Sequence, residues 1–324
     1  MFMQYPTVFD CTEMTAAVNK LPALPVYFRR LFEVKGVKST TVSLDIRKGR
    51  IVLIGDSPRN TAPESLAGRG AKRESMNLSC AHLAMSDTLA PEDLQDVRAF
   101  GSTEPISVAE VYNDKMQQLK DNMTATMEFH RLGAIKGVVL DADGTTVLHD
   151  IFKTFGVTKK TLPILFPKTA ADDANPILTS ILNAKRHVEA AMGGTPFSHI
   201  ECIIGSDAYD MLTSHKLVRE YFERWLSNRS NFGDNDYRKR GFPYGGLTFV
   251  ERSDVVGGQT MVAAKKGHVY PVGPGIFKQY HAPADWMETV NTIGLEYYAR
   301  MDKKEKSRGI DIEVQTNPLT LCTY

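Results

Sequence analysis

The chain has 324 residues, 42% of them hydrophobic, which is enough for a substantial core, and the length points to about two domains. A formal charge of +1 argues against a nucleic-acid binder that works by neutralising phosphates, because that needs a net basic surface. No apolar run approaches the roughly 18 residues of a membrane span, and the start MFMQYPTVFD lacks the basic-then-apolar order of a signal peptide.

A soluble protein made in a cytoplasm is the expectation. Cys11, Cys80, Cys202 and Cys322 show no C-x-x-C pairing and read as reduced thiols. Residues 1–39 read as an extended arm with short helical pieces, since Pro6, Pro22 and Pro25 interrupt any long period. Within it LPALPVYFRRLF, residues 21–32, is too apolar to stay in water and must dock on something.

TTVSLDIRKGRIVLIG then alternates Val42, Leu44 and Ile46 with polar residues, turns at Arg47-Lys48-Gly49 and resumes at Ile51, predicting strand, turn and strand. A glycine- and charge-rich loop runs from Gly55 to Ala71, and Met76, Leu78 and Cys80 alternate as a returning strand. Such a flap has little core of its own, and isolated ribbons are marginal in water.

The longest periodic stretch is Ser107 to Lys136. Val108, Tyr112, Met116, Leu119, Met123, Met127, His130 and Ala134 advance in steps of three and four, one narrow stripe on a helix of about 28 residues and roughly 40 Å. Ser107 and Glu110 form a capping box, and Gly133 or Gly137 marks the end. The stripe is a packing face; Asn113, Asp114, Lys115, Gln117, Lys120 and Asp121 are expected on a solvated or partner-facing side.

GVVLDADGTTVLHDIF predicts a hairpin with a tight turn at Asp143-Gly144. From about 157 to 272 the pattern is mixed α/β. A helix capped by Asn175-Pro176 runs to Met192, a buried strand lies in HIECIIGSD, one helix covers Asp207 to Ser227, and strands follow in YGGLTFVE and GQTMVAAKKGHVYPVG. The strands of Leu295–Met301 and of alternating Ile310, Ile312 and Val314 are expected to pair with the hairpin at 138–151.

One motif looks catalytic. VVLDADGTT matches the first motif of haloacid dehalogenase-type, magnesium-dependent phosphatases, with Asp141 as nucleophile and Asp143 as acid and base. Ser206 could supply the downstream hydroxyl, but Asp234 and Asp236 follow no apolar strand, so the carboxylates that would hold magnesium are not provided for. Asp172-Asp173 reads as helix-start charge, the histidines lack ligand spacing, and Gly273-Pro274-Gly275 lacks the lysine of a phosphate loop. No cofactor and no metal is expected.

The sequence resembles the lambda-type major capsid protein E family of tailed bacteriophages, which has the Hong Kong 97-like α+β shell fold. PVYFRRLF (residues 25–32), RGAKRE (69–74), the long helix with its MEFHRLGAIKG exit, and GLEYYARMDKKEKSRGIDIEVQTNPLTL near the end carry the likeness. The resemblance implies an N-terminal arm (1–39), an extended E-loop (40–85), a peripheral P-domain with the spine helix (86–156 and 275–324) and an axial A-domain (157–274). It implies a virion protein whose hexamers and pentamers form an icosahedral shell around double-stranded DNA. Scaffolding and portal proteins and a decoration protein would be its partners. A non-viral encapsulating shell of the same fold would share these features.

For contacts between subunits, Arg47, Lys48, Arg50, Arg59, Arg69, Lys72 and Arg73 of the flap are candidates to meet Glu110, Asp114 or Asp121 of a neighbour's helix. Tyr27, Phe28 and Phe32 of the arm are candidates to gain burial from an adjacent chain.

Overall fold

A computed structural model describes residues 11–22, 24, 26–47, 73–95, 107–167, 175–227 and 237–323. In chain order, α1 (Cys11–Lys20) leads through a 3-10 turn (Phe28–Leu31) to β1 (Phe32–Gly36), β2 (Thr41–Arg47), β3 (Arg73–Ser79) and β4 (Leu83–Leu89). Next come α2 (Val108–Lys136), β5 (Val138–Leu140), β6 (Val147–Asp150), α3 (Ile151–Phe155), α4 (Pro176–Met192) and β7 (His199–Ile204). Then follow α5 (Ser206–Ser214), α6 (Lys216–Ser227), α7 (Tyr237–Arg240), β8 (Phe242–Tyr244), β9 (Leu247–Glu251), β10 (Val255–Val256), β11 (Gln259–Thr260) and β12 (Gly267–Val272). The last strands are β13 (Phe277–His281), β14 (Tyr298–Lys303), β15 (Ile310–Thr316) and β16 (Pro318–Cys322).

These elements form two compact units. The first draws on Met1–Ser43, Asn77–Leu132 and Phe277–Leu321, the second on Leu44–Met76, Gly133–Ile276 and Cys322–Tyr324. β2 and β3 pair as a two-stranded ribbon, the start and return of the flap. The turn after Arg47, the run at Ile51, the loop from Gly55 to Ala71, Asp172-Asp173, Asp234 and Asp236 lie outside the described residues.

In the first unit, the Ser107 hydroxyl accepts from the Glu110 amide at 3.2 Å and opens α2. The helix continues through Gly133 and stops at Gly137, whose φ of 88° is a conformation open to glycine at little cost. Its stripe residues Met116, Leu119, Met123 and Met127 are buried against Ala299, Met301, Ile310, Ile312 and Val314, with Met14 and Val18 of α1 and Leu89 of β4. Each such side chain contributes about 1.5–3 kcal/mol by leaving water.

Here the strand pairing differs from expectation. β15 sits between β14 and β4, with Ile310 opposite Leu89 and Thr316 opposite Leu83, and the 138–151 hairpin is a separate two-stranded sheet. Alternation specifies which face of a strand is buried and says nothing of which strand lies at its edge. A second sheet orders β1-β13-β16, with β1 and β13 parallel and Phe32 opposite Phe277.

The second unit contains a four-stranded sheet, β12-β7-β9-β8, in which β7 and β9 run parallel. Ile177 and Ile181 of α4, Tyr209 and Leu212 of α5 and Val218 of α6 close over Ile200, Cys202, Ile204, Phe242 and Phe249. The Asn175 carboxamide accepts from the Leu178 amide at 3.0 Å, the expected cap. Asp207 to Ser227 is two helices, not one. His215 turns extended (ψ 134°), and its carbonyl and Nδ1 take the first amides of α6. No glycine or proline marks that break.

The hairpin turn is also wider than Asp143-Gly144 suggested. Residues 141–146 link the strands, with the Asp141 amide donating to the Thr146 carbonyl at 2.9 Å, because Asp143 organises the loop around its own carboxylate.

Candidate functional site

The arm was expected to gain burial from an adjacent chain; within the single chain its aromatic residues already have neighbours of their own. Phe28 and Phe32 are buried within the first unit; the Phe32 ring lies 5.3 Å from that of Phe277 and the Phe28 ring packs edge-on to Tyr27. Pairing β1 with β13 sets Phe32 opposite Phe277 and carries it inward. Tyr27 is half-buried, with the Arg30 guanidinium 4.4 Å above its ring and donating to its hydroxyl at 2.6 Å.

What holds the arm is a polar network on the side of α2 that was expected to be solvated or partner-facing. Lys120 is buried, and its ammonium donates to the carbonyls of Val18 (2.9 Å) and Leu21 (2.6 Å), the orphan acceptors just where α1 ends. Gln117 donates to the Pro22 carbonyl at 3.0 Å. Lys115 meets Asp87 at 2.9 Å and Asp93 at 3.3 Å, tying α2 to β4 and the turn after it. Burial lowers the Lys120 pKa, with Glu296 and then Asp121 opposing the shift. Of the side expected to be solvated or partner-facing, Asn113 and Asp114 are exposed.

About three turns further along α2, Arg131 is sealed from solvent. Its Nε donates to Gln279 Oε1 at 2.7 Å, and its terminal nitrogens lie 3.3 Å from Glu128 and 3.5 Å from Glu296. Glu128 in turn accepts the Phe28 amide at 2.5 Å, and Glu296 takes Arg29 at 2.8 Å. Gln279 Nε2 donates to His281 Nε2 at 2.8 Å, which requires a neutral imidazole. Burial, then the charges of Arg131 and Arg29, push the His281 pKa down to about 3. A cavity of about 190 Å³ beside the network is lined by Asn19, Arg29, Lys120, Thr124, Glu296 and Tyr297, among others. Chemically, this is a clasp that fixes the arm to the long helix.

Sequence reasoning missed Glu128, Arg131, Gln279, His281 and Glu296. One signal was present: Glu128 and Arg131 stand three apart on the turn where the apolar stripe carries Met127 and His130, a place for paired charges.

Of the flap candidates, Arg47 ends β2 and Arg73 begins β3, while Lys48, Arg50, Arg59, Arg69 and Lys72 lie outside the described residues. Glu110 and Asp114 are exposed on α2, and the half-buried Asp121 accepts from Gln117 at 2.8 Å.

Asp141 and Asp143 sit in the loop of the second unit and bond their own backbone. Asp141 takes the Ala142 amide, and Asp143 takes the amides of Thr145 and Thr146 and the Thr146 hydroxyl at 2.6 Å. The Thr146 hydroxyl and the two amides hold the Asp143 carboxyl well below the usual carboxylate range. An acid and base needs the opposite shift. Among the described residues no group of three or more His, Cys, Asp or Glu could hold a metal ion, and no helix is long and apolar enough to cross a membrane.

Comparison with known proteins gives one consistent result. Residues 10–324 match the family model described as phage major capsid protein E. The chain is 25% identical over 350 residues to the major capsid protein of Salmonella phage Felix O1, covering 97% of this chain and 94% of that protein. It is likewise 25% identical over 338 residues to the major capsid protein of Pseudomonas phage KPP10, covering 98% and 94%. Among solved structures, the capsid of Ralstonia phage GP4 superposes with a TM-score of 0.52 at 11% identity, covering 92% of this chain and 86% of that one, a likeness of fold alone.

Proposed function

Because the chain belongs to the phage major capsid protein E family, matched over residues 10–324, we propose that its copies join as hexamers and pentamers into an icosahedral shell around double-stranded DNA. It is a shell protein of a phage virion with the Hong Kong 97-like fold, and the phosphatase reading has no support. The match across nearly the whole chain is the observation that carries this. The work is assembly, and we assign no catalysis, cofactor or metal to it.

Within that reading the arm, E-loop, P-domain and A-domain take the boundaries 1–39, 40–85, 86–156 with 275–324, and 157–274. The clasp gives the arm an intramolecular role, so the flap becomes the segment that reaches a neighbour. Support for this is physical: a two-stranded ribbon has little core, and a neighbouring subunit would supply one. Arg47, Lys48, Arg50, Arg59, Arg69, Lys72 and Arg73 would meet Glu110, Asp114 and Asp121 across the contact. Exposed pairs contribute about 0–1 kcal/mol each, yet repeated around a shell they fix register and partner choice. Scaffolding, portal and decoration proteins are the proposed further partners. A formal charge of only +1 suits a container, since a strongly basic inner wall would hold DNA back from entering and leaving.

Negative-stain electron microscopy of the protein expressed alone tests this. Closed shells, rings of five or six, tubes or sheets are expected. A monomer that stays unassembled at high concentration would overturn it. Arg69→Glu with Arg73→Glu should abolish assembly while leaving the subunit folded, and normal shells from that variant would remove the flap assignment.

A further inference from the structure

The cavity of about 190 Å³ beside the clasp is lined by three cations, Arg29, Lys120 and Arg131, and by one carboxylate, Glu296. All four belong to the first unit, and they come from separate stretches: the arm, α2 and the approach to β14. Both oxygens of Glu296 are engaged, Oε2 by Arg29 at 2.8 Å and Oε1 by Arg131 at 3.5 Å. The acids nearest by have partners too. Glu128 accepts from Arg131 and from the Phe28 amide, and Asp121 accepts from Gln117.

The cations have more donors than the chain has acceptors for them. A guanidinium carries five N–H groups and an ammonium three. Among the described residues Arg131, 1% exposed, has three acceptors, one each on Gln279, Glu128 and Glu296. Lys120, 2% exposed, has two, the Val18 and Leu21 carbonyls, with the centre of the Tyr297 ring 5.1 Å from its nitrogen. Three N–H groups on two buried charged side chains therefore remain for the cavity these side chains line, and buried polar groups are ordinarily met. Charge points the same way. Burial lowers the pKa of both Lys120 and Arg131 despite the carboxylates beside them, so the acids of the clasp do not fully replace the lost water.

Size and access fit a ligand. One water needs about 10–15 Å³ of such space, so the cavity admits a polyatomic guest. Arg29 keeps 40% of its side chain exposed, which leaves a way in beside it.

We propose that this cavity binds one small tetrahedral oxyanion, of the phosphate or sulfate class, which bridges Arg29 of the arm to Lys120 and Arg131 of α2. Such an ion brings acceptor oxygens on every side together with negative charge, and hydrogen bonds between ionised partners are the strong ones. Water would bring acceptors without the charge. The buried placement of Lys120 and Arg131 excludes a phosphate still held in a duplex backbone, so the guest is a free ion. Because its ligands lie on the arm and on the long helix, the ion tightens the clasp and makes opening of the arm depend on its concentration. The inference goes beyond the shell reading and concerns the lone subunit.

Equilibrium dialysis of the full chain against radiolabelled phosphate, with ionic strength fixed by chloride, tests it. One ion per chain is expected, displaced by sulfate and not by further chloride. Arg29→Gln, at the open rim, should weaken binding roughly tenfold, the loss expected for one hydrogen bond to a charged group. Arg30→Gln, exposed and outside the lining, should leave the affinity unchanged. Saturating phosphate should also slow trypsin cleavage after Lys20 in the wild type and not in Arg29→Gln. No binding above the chloride control, equal affinity in wild type and Arg29→Gln, equal loss in the two variants, or displacement of phosphate by a short DNA duplex would overturn the inference.

Discussion

Arg131 donates from Nε to Oε1 of Gln279 at 2.7 Å with both side chains sealed from solvent. The bond joins α2 to the middle of β13, and through Glu128 and Glu296 the same guanidinium reaches the arm. Loss of Arg131 leaves Glu128 buried without a counter-charge, so Arg131→Ala should cost about 3–5 kcal/mol. Arg131→Lys keeps the charge without the fork and should cost less. Urea titration of the unassembled subunit measures both, and equal midpoints for wild type and Arg131→Ala would show the network to be inert.

His281 is neutral in the fold and acquires a proton readily once unfolded, where its pKa returns to about 6.5. The unfolded state then binds more protons between those values, so the stability due to this group is complete above about pH 6.5 and is lost as pH falls toward 3. Arg131 and Arg29 face it and add to the cost of protonation. A His281→Gln variant should flatten the fall in melting temperature between pH 6.5 and 4.5, a window above most carboxylate titration.

Lys120→Met keeps the length of the side chain and removes the ammonium that takes the Val18 and Leu21 carbonyls. Leaving those acceptors unmet should cost about 1.5 kcal/mol and raise the open population of the arm roughly tenfold. Trypsin cleavage after Lys20, Arg29 or Arg30 should accelerate by that factor if opening is fast relative to cleavage. An unchanged cleavage rate would place the arm's hold elsewhere.

Burial pushes the Cys202 thiol up to about 12 and the Cys80 thiol up to about 11. Reaction requires the thiolate, so at pH 8 iodoacetamide should leave both unmodified in the folded subunit and modify both in denaturant. Labelling of Cys202 without denaturant would mean that the β12-β7-β9-β8 sheet opens locally.

In the 141–146 loop, Asp143→Ala removes three acceptor contacts, and Asp143→Asn keeps a cap of the same shape. Amide exchange at Thr145 and Thr146 should quicken in the alanine variant and change little in the asparagine one. Neither substitution should alter the release of phosphate from a generic ester with magnesium, because that release is expected to be at background in the wild type.

Much of this was legible from local pattern. The step sequence from Val108 to Ala134 located α2 and its buried face, Ser107 and Asn175 marked two helix starts, and the alternation at Ile310, Ile312 and Val314 marked β15 with the correct side inward. The misreadings share a cause. Lys115, Gln117 and Lys120 were assigned to a solvated or partner-facing side because polarity alone cannot show whether a partner within the same chain waits nearby. The helix break at His215 carries no glycine or proline, and the wide turn at Asp143 depends on a carboxylate bonding two amides that the sequence does not distinguish from its neighbours.

The clasp shows the limit most clearly. Composition, charge and periodicity determined by themselves that this chain has a long, one-faced helix, an apolar arm and a near-zero net charge, since each is a property of near neighbours or of totals. The tertiary structure decided that the arm binds its own chain and that β15 lies against β4. Lys120 meets its acceptors 102 and 99 positions away, and Arg131 meets Gln279 148 positions away. A buried charge is stable only beside such partners, and their proximity exists only after the chain has folded.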